Sequence, residues 1–455
     1  MRSQSRHRTR AVVGVAAANA LLAACGGAGS LDTGKDTINV VMVNNPQMIE
    51  LQKLTAKYFT KKTGIKVKFT ALPENDVRDK IGQDFANQSG QYDVASISNY
   101  ETPFYARNGW LRPLDADMTK YNKDFDNKDI LPSMRESLSY KGRMYAEPYY
   151  GESSMLMYRK DLFKKAGVTM PARPTWQQVA KLAAKTDGVE KGNKGICLRA
   201  LPGWGEMMAP LTTVVNTFGG TWFDKSWHAR LTGPGFKKAT KFYVDLVRKH
   251  GESGAAQSGF AECLNNMTQG KTAMWYDATS GAGSLEAKGS PVKGKVGYVP
   301  APTVKTKSSG WLYAWAWGVQ KASQHPTQAS KFVAWASSKQ FERLAGEKFG
   351  WANVPAGKRA STYRIPAYKR TAGAFGPVTR KAISEADPKH PGVQQRPTVG
   401  IQFVDIPEFS DLGTKVSQEL SSAVAGNQST DEALKKSQQL ADQIAEQYRG
   451  RGQGQ

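Results

Sequence analysis

Tryptophan and carboxylate residues are placed where they could bind a polyhydroxylated molecule. Trp204 lies in the sequence Pro-Gly-Trp-Gly at 202–205, where little steric bulk surrounds the ring. Trp275 and Asp277 stand at the end of a predicted strand. A sugar or polyol offers C–H surface that stacks on a ring and hydroxyls that need hydrogen-bond partners, and a buried site discriminates strongly for such hydroxyls. These residue types therefore indicate a site for sugars or polyols.

A run of alternating aromatic residues extends this pattern. Trp311, Tyr313, Trp315 and Trp317 alternate with small or aliphatic residues, so that in a strand all four rings would face one way. The sequence leaves two interpretations open for each tryptophan, which are packing in the core and contact with a ligand. At the far end of the run, core packing is the favoured interpretation.

Signatures of common enzymes are absent from the sequence. It contains no Gly-x-Ser-x-Gly elbow, no His-Glu-x-x-His, no Walker motif and no Gly-rich phosphate loop after the first predicted strand. The five His are scattered and no Cys/His metal spacing occurs, so we expect neither a metal nor a cofactor. A carboxylate pair for glycoside hydrolysis remains an alternative, although nothing fixes the separation of its candidates. These candidates are Glu101, Glu152, Glu206 and Asp277.

The N-terminus has the composition of an export signal. Four arginines among the first ten residues precede an uncharged apolar run at 11–24, which is too short to span a membrane. The sequence Leu-Ala-Ala-Cys that ends at Cys25 resembles a bacterial lipobox, and this resemblance implies a lipid on the Cys25 sulfur. We predict a signal peptide at 1–24 and a lipidated flexible tether at 25–36. An ordinary secretory signal with a chance cysteine is the alternative.

The chain is strongly basic. Its 455 residues include 63 Lys and Arg against 39 Asp and Glu, for a formal net charge of +24. Removal of the predicted signal peptide, which carries four Arg and no acid, lowers this charge to +20. The basic residues are dispersed and accompany no nucleic-acid-binding motif, so we expect no nucleic-acid partner. A basic surface for anionic lipid or cell-wall polymer is favoured, which leaves a cell-wall adhesin as a further alternative.

The number of cysteines predicts a role for each of them. If Cys25 carries a lipid, Cys197 and Cys263 remain of the three in the sequence. An even pair in an exported protein suggests a disulfide. Two buried free thiols are the alternative.

The body of the chain alternates predicted strands and helices. Strand patterns at 38–43, 65–69 and 92–97 are separated by amphipathic helical patterns. This order predicts right-handed crossovers and a parallel sheet. Because ligands bind beyond the carboxyl ends of such strands, we expect the loops at 44–45 and 98–101 to face a ligand.

A second α/β region is predicted to begin near Tyr150. Strands are expected at 194–199 and 272–276, and a polar, frayed tail at 449–455. Capping boxes predict helix starts at Thr175 and Ser429. Further helices are expected at about 206–218, 237–250, 261–269, 326–337, 408–424 and 430–448.

Several segments resemble one family of exported proteins. In their order along the chain, and after a lipobox, they are similar to segments of the extracellular solute-binding lipoproteins of carbohydrate ABC importers, which have the broad fold of maltose-binding protein. The resemblance covers nearly all of 37–448, and it is closest to the polyol (mannitol/sorbitol) branch at 195–206, 217–220, 275–279 and 400–409. The general family segments are Glu-Pro-Tyr-Tyr-Gly-Glu at 147–152, Met-Tyr-Arg-Lys-Asp-Leu-Phe at 157–163 and Gln-Gly-Lys-Thr-Ala-Met at 269–274.

The resemblance implies an α/β protein with two lobes that are joined by a multi-segment hinge and hold the ligand between them. Each lobe would be a mostly parallel sheet flanked by helices, and closure would be a hinge motion. The implied boundaries are 37–149 plus 313–350 for lobe I and 152–310 plus 356–448 for lobe II, with crossings near 149–152, 310–313 and 350–355.

The resemblance also implies a function and a binding site. The implied protein is a non-enzymatic, monomeric receptor, tethered by lipid outside the cell membrane, that passes a sugar or polyol to ABC permease subunits without a cofactor. In this family a carboxylate at the position of Glu152 touches sugar from the hinge. The predicted ligand-binding residues are Asn45, Asn99, Tyr100, Glu101, Tyr150, Glu152, Arg199, Trp204, Trp275, Asp277, Trp311, Tyr313 and Gln402.

Overall fold

The structure, a computed structural model, describes residues 36–452. The predicted signal peptide, Cys25 and the tether up to residue 35 lie outside the described residues, as do residues 453–455. Within 36–452, no helix has both the length and the apolar character that crossing a membrane would require.

Strands and helices follow one another along the whole described chain. The strands are β1 (Thr37–Val43), β2 (Lys66–Leu72), β3 (Val94–Ser98), β4 (Ser139–Tyr140), β5 (Arg143–Met144), β6 (Ala146–Glu152), β7 (Ser154–Arg159), β8 (Met274–Ala278), β9 (Val296–Pro300) and β10 (Tyr313–Val319). The helices are α1 (Pro46–Thr55), α2 (Lys61–Thr63), α3 (Glu74–Ala86), α4 (Glu101–Arg107), α5 (Asp115–Tyr121), α6 (Pro132–Ser137), α7 (Lys160–Lys165), α8 (Trp176–Thr186), α9 (Met208–Phe218), α10 (Pro234–His250), α11 (Phe260–Thr268), α12 (Ala282–Leu285), α13 (Pro326–Ala336), α14 (Lys339–Phe349), α15 (Pro366–Thr371), α16 (Gly376–Glu385), α17 (Phe409–Ala425) and α18 (Thr430–Gly452).

The first sheet has five strands in the order β2-β1-β3-β10-β6. β1 pairs in parallel with β2 and β3, whereas β10 runs antiparallel to β3 and β6. Every residue of β1 is buried, as its apolar, β-branched composition predicts for a central strand. Helical segments that begin with α1 and α3 provide the two crossovers, so the predicted parallel unit at the start of the body is confirmed.

The second sheet has three strands in the order β8-β7-β9, and its pairs are antiparallel. The expectation of a mostly parallel sheet in each lobe is therefore wrong for this sheet, and the first sheet is evenly mixed, with two parallel and two antiparallel pairs. β7 directly follows β6 in the chain, and it takes the central place between two strands that run the opposite way. Strand β8 also lies two residues later than the predicted 272–276.

Residues 194–199 do not form the strand that was expected. They make only isolated parallel bridges toward the segment that contains β8. The backbone N–H groups of this segment donate to two different neighbours, so no continuous strand ladder forms. The N–H of Cys197 donates to the Met274 carbonyl, whereas the N–H of Ile196 donates to the His250 carbonyl at the end of α10.

The chain passes between the two sheets at closely spaced places. β6 ends at Glu152 and β7 begins only two residues later, at Ser154. The Gly151 N–H donates to the Ala356 carbonyl at 2.9 Å. A Cβ on Gly357, whose φ is +84°, would lie 1.8 Å from the Gly151 carbonyl oxygen, so glycine is required there. These contacts lie near two of the expected crossings, and the lobe boundaries themselves stay a prediction.

The C-terminal helix is longer than predicted. It begins at the predicted capping box, where the Glu432 carboxylate accepts from the Ser429 N–H at 2.9 Å, and it continues to Gly452. The ring of Tyr448 stacks on Trp227 with centroids 4.1 Å apart, and Arg449 donates to the Trp227 carbonyl at 3.3 Å. The expected frayed tail at 449–455 is therefore wrong for 449–452, because tertiary contacts hold the last turns against the body.

Candidate functional site

A narrow cleft lies between elements that belong to the two sheets. Small-molecule sites are typically concave and apolar, with a few convergent polar groups. Its walls come from loops that follow β1 and β2, from the ends of β6, β8 and β10, and from segments around Arg199 and Gln402. The carboxyl ends of β1 and β2 therefore meet the cleft, whereas no residue of the expected loop at 98–101 after β3 lines it.

The wall on the side of the first sheet is organised around Arg78. This buried guanidinium pairs with Glu74 and with Glu101, each at 2.7 Å, and donates to the Tyr313 hydroxyl at 2.5 Å. Glu74 and Arg78 are four residues apart in α3, which places both on one helix face. The second Glu101 oxygen accepts from the Ser98 N–H at 2.8 Å, so the end of β3 and the start of α4 are held to the same cluster.

The wall on the side of the second sheet is organised around Arg199. Its guanidinium donates twice to Asp277, at 2.9 and 2.6 Å, which is the bidentate geometry that fixes both groups. Trp275 donates from its indole to the same carboxylate at 3.0 Å. Arg199 also donates to the Gly205 carbonyl at 3.0 Å and lies 3.3 Å from Glu206.

The two clusters face each other across the cleft. The shortest ion-pair distance between them is the 4.0 Å from Arg199 Nη1 to Glu74 Oε2. Desolvation by burial raises the pKa of Glu152 to about 8 and, together with the charge of Glu74, the pKa of Glu206 to about 7. A site with more carboxyl than guanidinium groups, some held neutral by burial, favours an uncharged ligand over an anion.

Hydrogen-bonding side chains and rings complete the cleft. Asn45 donates to the Tyr150 hydroxyl at 2.9 Å, and Ser280 donates to Glu152 at 2.5 Å. Trp311 lines the cleft, and its buried indole N–H has no partner among residues 36–452. Such a buried donor is satisfied at low cost only if a ligand or water accepts from it.

The structure brings many of the predicted site residues together. Tyr150 supports Asn45, while Glu101, Trp275 and Asp277 are buried behind the arginines rather than at the cleft surface. They therefore contact side chains that reach the cleft or lie beside it. The predicted residues that line it directly are Asn45, Glu152, Arg199, Trp311, Tyr313 and Gln402.

The other predicted residues lie at its margin. Trp204 packs against Tyr100, with ring centroids 4.8 Å apart, and Tyr100 donates to the Ile406 carbonyl at 2.8 Å. Asn99 accepts from the Ala314 N–H at 2.9 Å and so ties the end of β3 to β10. None of these three predicted side chains is among the residues that line the cleft.

The aromatic run divides as the sequence suggested. Strand β10 begins at Tyr313, so Trp311 precedes the strand, and Trp315 lines the cleft with it. Trp317 instead packs 5.3 Å from Tyr149 and 5.9 Å from Phe332 in the aromatic core. The favoured interpretation of core packing at the far end is thus confirmed.

Sequence analysis missed Glu74, Phe260 and Ser280, which all line the cleft. A signal for Glu74 was present, since it stands just after β2, at the carboxyl end of a parallel strand where only the loops after β1 and β3 were considered. Phe260 and Ser280 follow no comparable rule, because only the packing of α11 and the end of β8 brings them to the cleft.

The expected disulfide is present. Cys197 and Cys263 are bonded, with Cα atoms 5.6 Å apart. The bond joins the segment that leads to Arg199 with helix α11, which begins at Phe260. It therefore ties two segments of the cleft wall to each other.

Comparison with known proteins agrees with this geometry. Residues 45–342 match the family model described as bacterial extracellular solute-binding protein. The chain is 40% identical over 421 residues, 92% of this chain and 95% of the relative, to a mannitol-binding protein of Pseudomonas aeruginosa. It is 25% identical over 392 residues, 76% of this chain and 80% of the relative, to an erythritol/L-threitol-binding protein of Mycolicibacterium smegmatis.

Solved structures share the fold. An ABC transporter solute-binding protein from Agrobacterium vitis S4 with bound D-mannitol is 44% identical, with a TM-score of 0.87 over 90% of this chain and 99% of that one. A maltose-bound protein from T. maritima is 20% identical, with a TM-score of 0.75 over 90% of this chain and 99% of that one, and indicates fold alone. The expected two-lobed α/β fold is thereby confirmed. The chain belongs to the family of bacterial extracellular solute-binding proteins.

Proposed function

We propose that this protein is the extracytoplasmic receptor of an ABC importer and binds an uncharged sugar alcohol of the mannitol class in the cleft. The observation that carries the proposal is that Arg199, Glu74, Glu152 and the indole of Trp311 all line one cleft, with Arg199 and Glu74 4.0 Å apart. The bound D-mannitol of the relative from Agrobacterium vitis and the name of the Pseudomonas relative support the same ligand class.

The chemistry of the cleft suits a linear polyol. Each hydroxyl both donates and accepts, so it can pair with a carboxylate and with a guanidinium or amide at once. Carboxyl oxygens of Glu74 and Glu152 would accept, Arg199 and the Trp311 indole would donate, and Asn45 would do either. Aromatic faces from Tyr313 and its neighbours would cover the carbon chain.

The lipid anchor, the permease partner, the monomeric state and the lack of catalysis, which the sequence analysis also predicted, form part of the proposal. Lipidation of Cys25 would hold the receptor at the outer face of the membrane, where it would meet the permease subunits as a monomer. We infer that the protein has no catalytic activity. A Cys25→Ser variant is expected to move from the membrane fraction to the soluble exported fraction, whereas a variant that remained in the membrane fraction would contradict the lipid anchor.

Isothermal titration calorimetry tests the ligand class. The exported protein should bind D-mannitol, D-sorbitol or ribitol tightly and at one site per chain, and maltose far more weakly. Chromatography of the ligand after long incubation should recover it unchanged. Release of a product would support the enzyme alternative instead, and failure of every polyol to bind would refute the proposal.

A matched pair of variants locates the site. Asn45→Ala removes an amide from the cleft and should weaken polyol binding roughly tenfold, which is the scale of a lost buried hydrogen bond with an unpaired partner. Gln83→Ala, an exposed change in α3 away from the cleft, should leave the affinity unchanged. Equal affinities for both variants would show that the cleft is not the binding site.

A further inference from the structure

The loop at 202–206, here called the clamp loop, touches the first turn of α3 beside the cleft. On its own side, the Gly203 N–H donates to Ser417 of α17 at 2.7 Å and the Gly205 carbonyl accepts from Arg199 at 3.0 Å. Helix α3 packs on β1 and β2 of the first sheet. The contact between the clamp loop and α3 therefore joins elements of the two halves of the molecule without passing through the hinge.

Polar and aromatic groups make this contact specific. Asn75, in the first turn of α3, donates from its side chain to the Pro202 carbonyl at 2.9 Å. The Arg78 guanidinium lies over the Trp204 ring, 3.9 Å from its centroid. A cation on an indole face is attracted by the ring quadrupole, and more strongly when both groups are buried, as they are here.

The glycines of the clamp loop permit the close approach. A Cβ at 203 would lie 2.4 Å from the Asn75 side-chain oxygen, and Gly203 has φ +148°. A Cβ at 205 would lie 2.3 Å from Glu74 Oε1 and 2.8 Å from Arg78 Nε. The loop is therefore fitted to the surface of α3 at backbone distance, rather than resting on it through long side chains.

We infer that the clamp loop and the start of α3 form a latch that holds the cleft closed, and that Asn75 and Trp204 are positioning residues for ligand capture that need no contact with the ligand. The latch fixes Gly205 and Arg199 on one wall against Glu74 on the other, at the 4.0 Å approach of the two clusters. This reassigns Trp204, which the sequence suggested as a ligand-stacking ring. The inference rests on the proposed function for its ligand.

A contact between the two halves that forms on closure changes binding through the closure equilibrium. Ligand that has entered an open cleft leaves when the cleft reopens, so a weaker latch speeds dissociation and leaves association nearly unchanged. Loss of one side-chain hydrogen bond corresponds to roughly a fivefold change. A residue that served only the stability of the fold would instead lower the unfolding midpoint and leave the dissociation rate constant of the folded fraction unchanged.

The test measures D-mannitol dissociation by stopped-flow tryptophan fluorescence. Asn75→Ala should raise the dissociation rate constant roughly fivefold. Asn75→Asp, which places a carboxylate against the Pro202 carbonyl, should raise it further. Gln83→Ala is the control on the same helix and should match wild type. Equal dissociation rate constants for wild type and both Asn75 variants would overturn the latch.

Small-angle scattering separates failure of the latch from failure of the proposed function. If no polyol binds to wild type, the proposed function fails, and the latch is then judged without ligand. Asn75→Asp should give a larger radius of gyration than wild type and Gln83→Ala, because its closed form is less populated. An identical radius for all three proteins would in that case overturn the latch.

Discussion

Replacement of Asp277 by Asn is the sharpest test of how the cleft is built. Each oxygen of this fully buried carboxylate accepts two hydrogen bonds. Arg199 Nε and the Trp275 indole donate to one oxygen, while Arg199 Nη2 and the Ala278 N–H donate to the other. All four neighbours are donors, so in either orientation the amide NH2 of Asn would face two N–H groups.

The expected loss of stability follows from the burial of the Arg199–Asp277 ion pair. Removal of one partner from a buried ion pair costs about 3–5 kcal/mol, because the other charge is left uncompensated. Glu206 at 3.3 Å and Glu74 at 4.0 Å still face Arg199, so we expect the lower end, about 3 kcal/mol of unfolding free energy. The freed Arg199 should also lower polyol affinity by at least about 1.4 kcal/mol, which is tenfold.

Urea denaturation and calorimetry under conditions where the variant is folded would measure the two effects. Asp411→Asn is the matched control, because it breaks an exposed pair with Lys415 and should change neither quantity measurably. An Asp277→Asn variant as stable as the control would refute the view that this carboxylate organises the wall. Lost stability with unchanged affinity would show that Arg199 does not contact the ligand.

Three further predictions follow from burial, the disulfide and charge. Burial raises the pKa of Glu152 from its ordinary 4.5 to about 8, so between these pH values the folded protein keeps a proton that the unfolded chain loses, and stability should fall as pH rises. The Glu152→Gln variant should show a flatter slope of urea midpoint against pH than wild type. Equal slopes for the two proteins would contradict this prediction. Replacement of Cys197 and Cys263 by Ala removes the disulfide across a sequence separation of 66 and should lower the free energy of unfolding by about 4 kcal/mol, measured by urea denaturation. A decrease below about 1 kcal/mol would contradict this prediction. The D-mannitol dissociation constant should change less than about twofold between about 50 and 200 mM salt, while a steep dependence in calorimetry would favour a charged ligand or an adhesin.

The sequence by itself determined the local elements and the class of the protein. The β-branched run of β1 and the alternation of strands and helices predict the parallel unit, because each depends on neighbours close in the chain. The Thr175 capping box places the start of α8 for the same reason. Aromatic residues and carboxylates also pointed to a polyhydroxylated ligand, and the cysteine count to the disulfide.

Tertiary structure alone decided which of these residues share the cleft. Glu74 and Arg199 are far apart in sequence, and only the facing of the two halves brings them within 4.0 Å. Trp204, in a glycine-rich loop, and Trp311, at the start of the aromatic run, are both predicted ligand contacts in the sequence, yet one packs on Arg78 and the other lines the cleft. Residue type states what a side chain can bind, whereas its partner is set by contacts between distant segments, which no local pattern encodes.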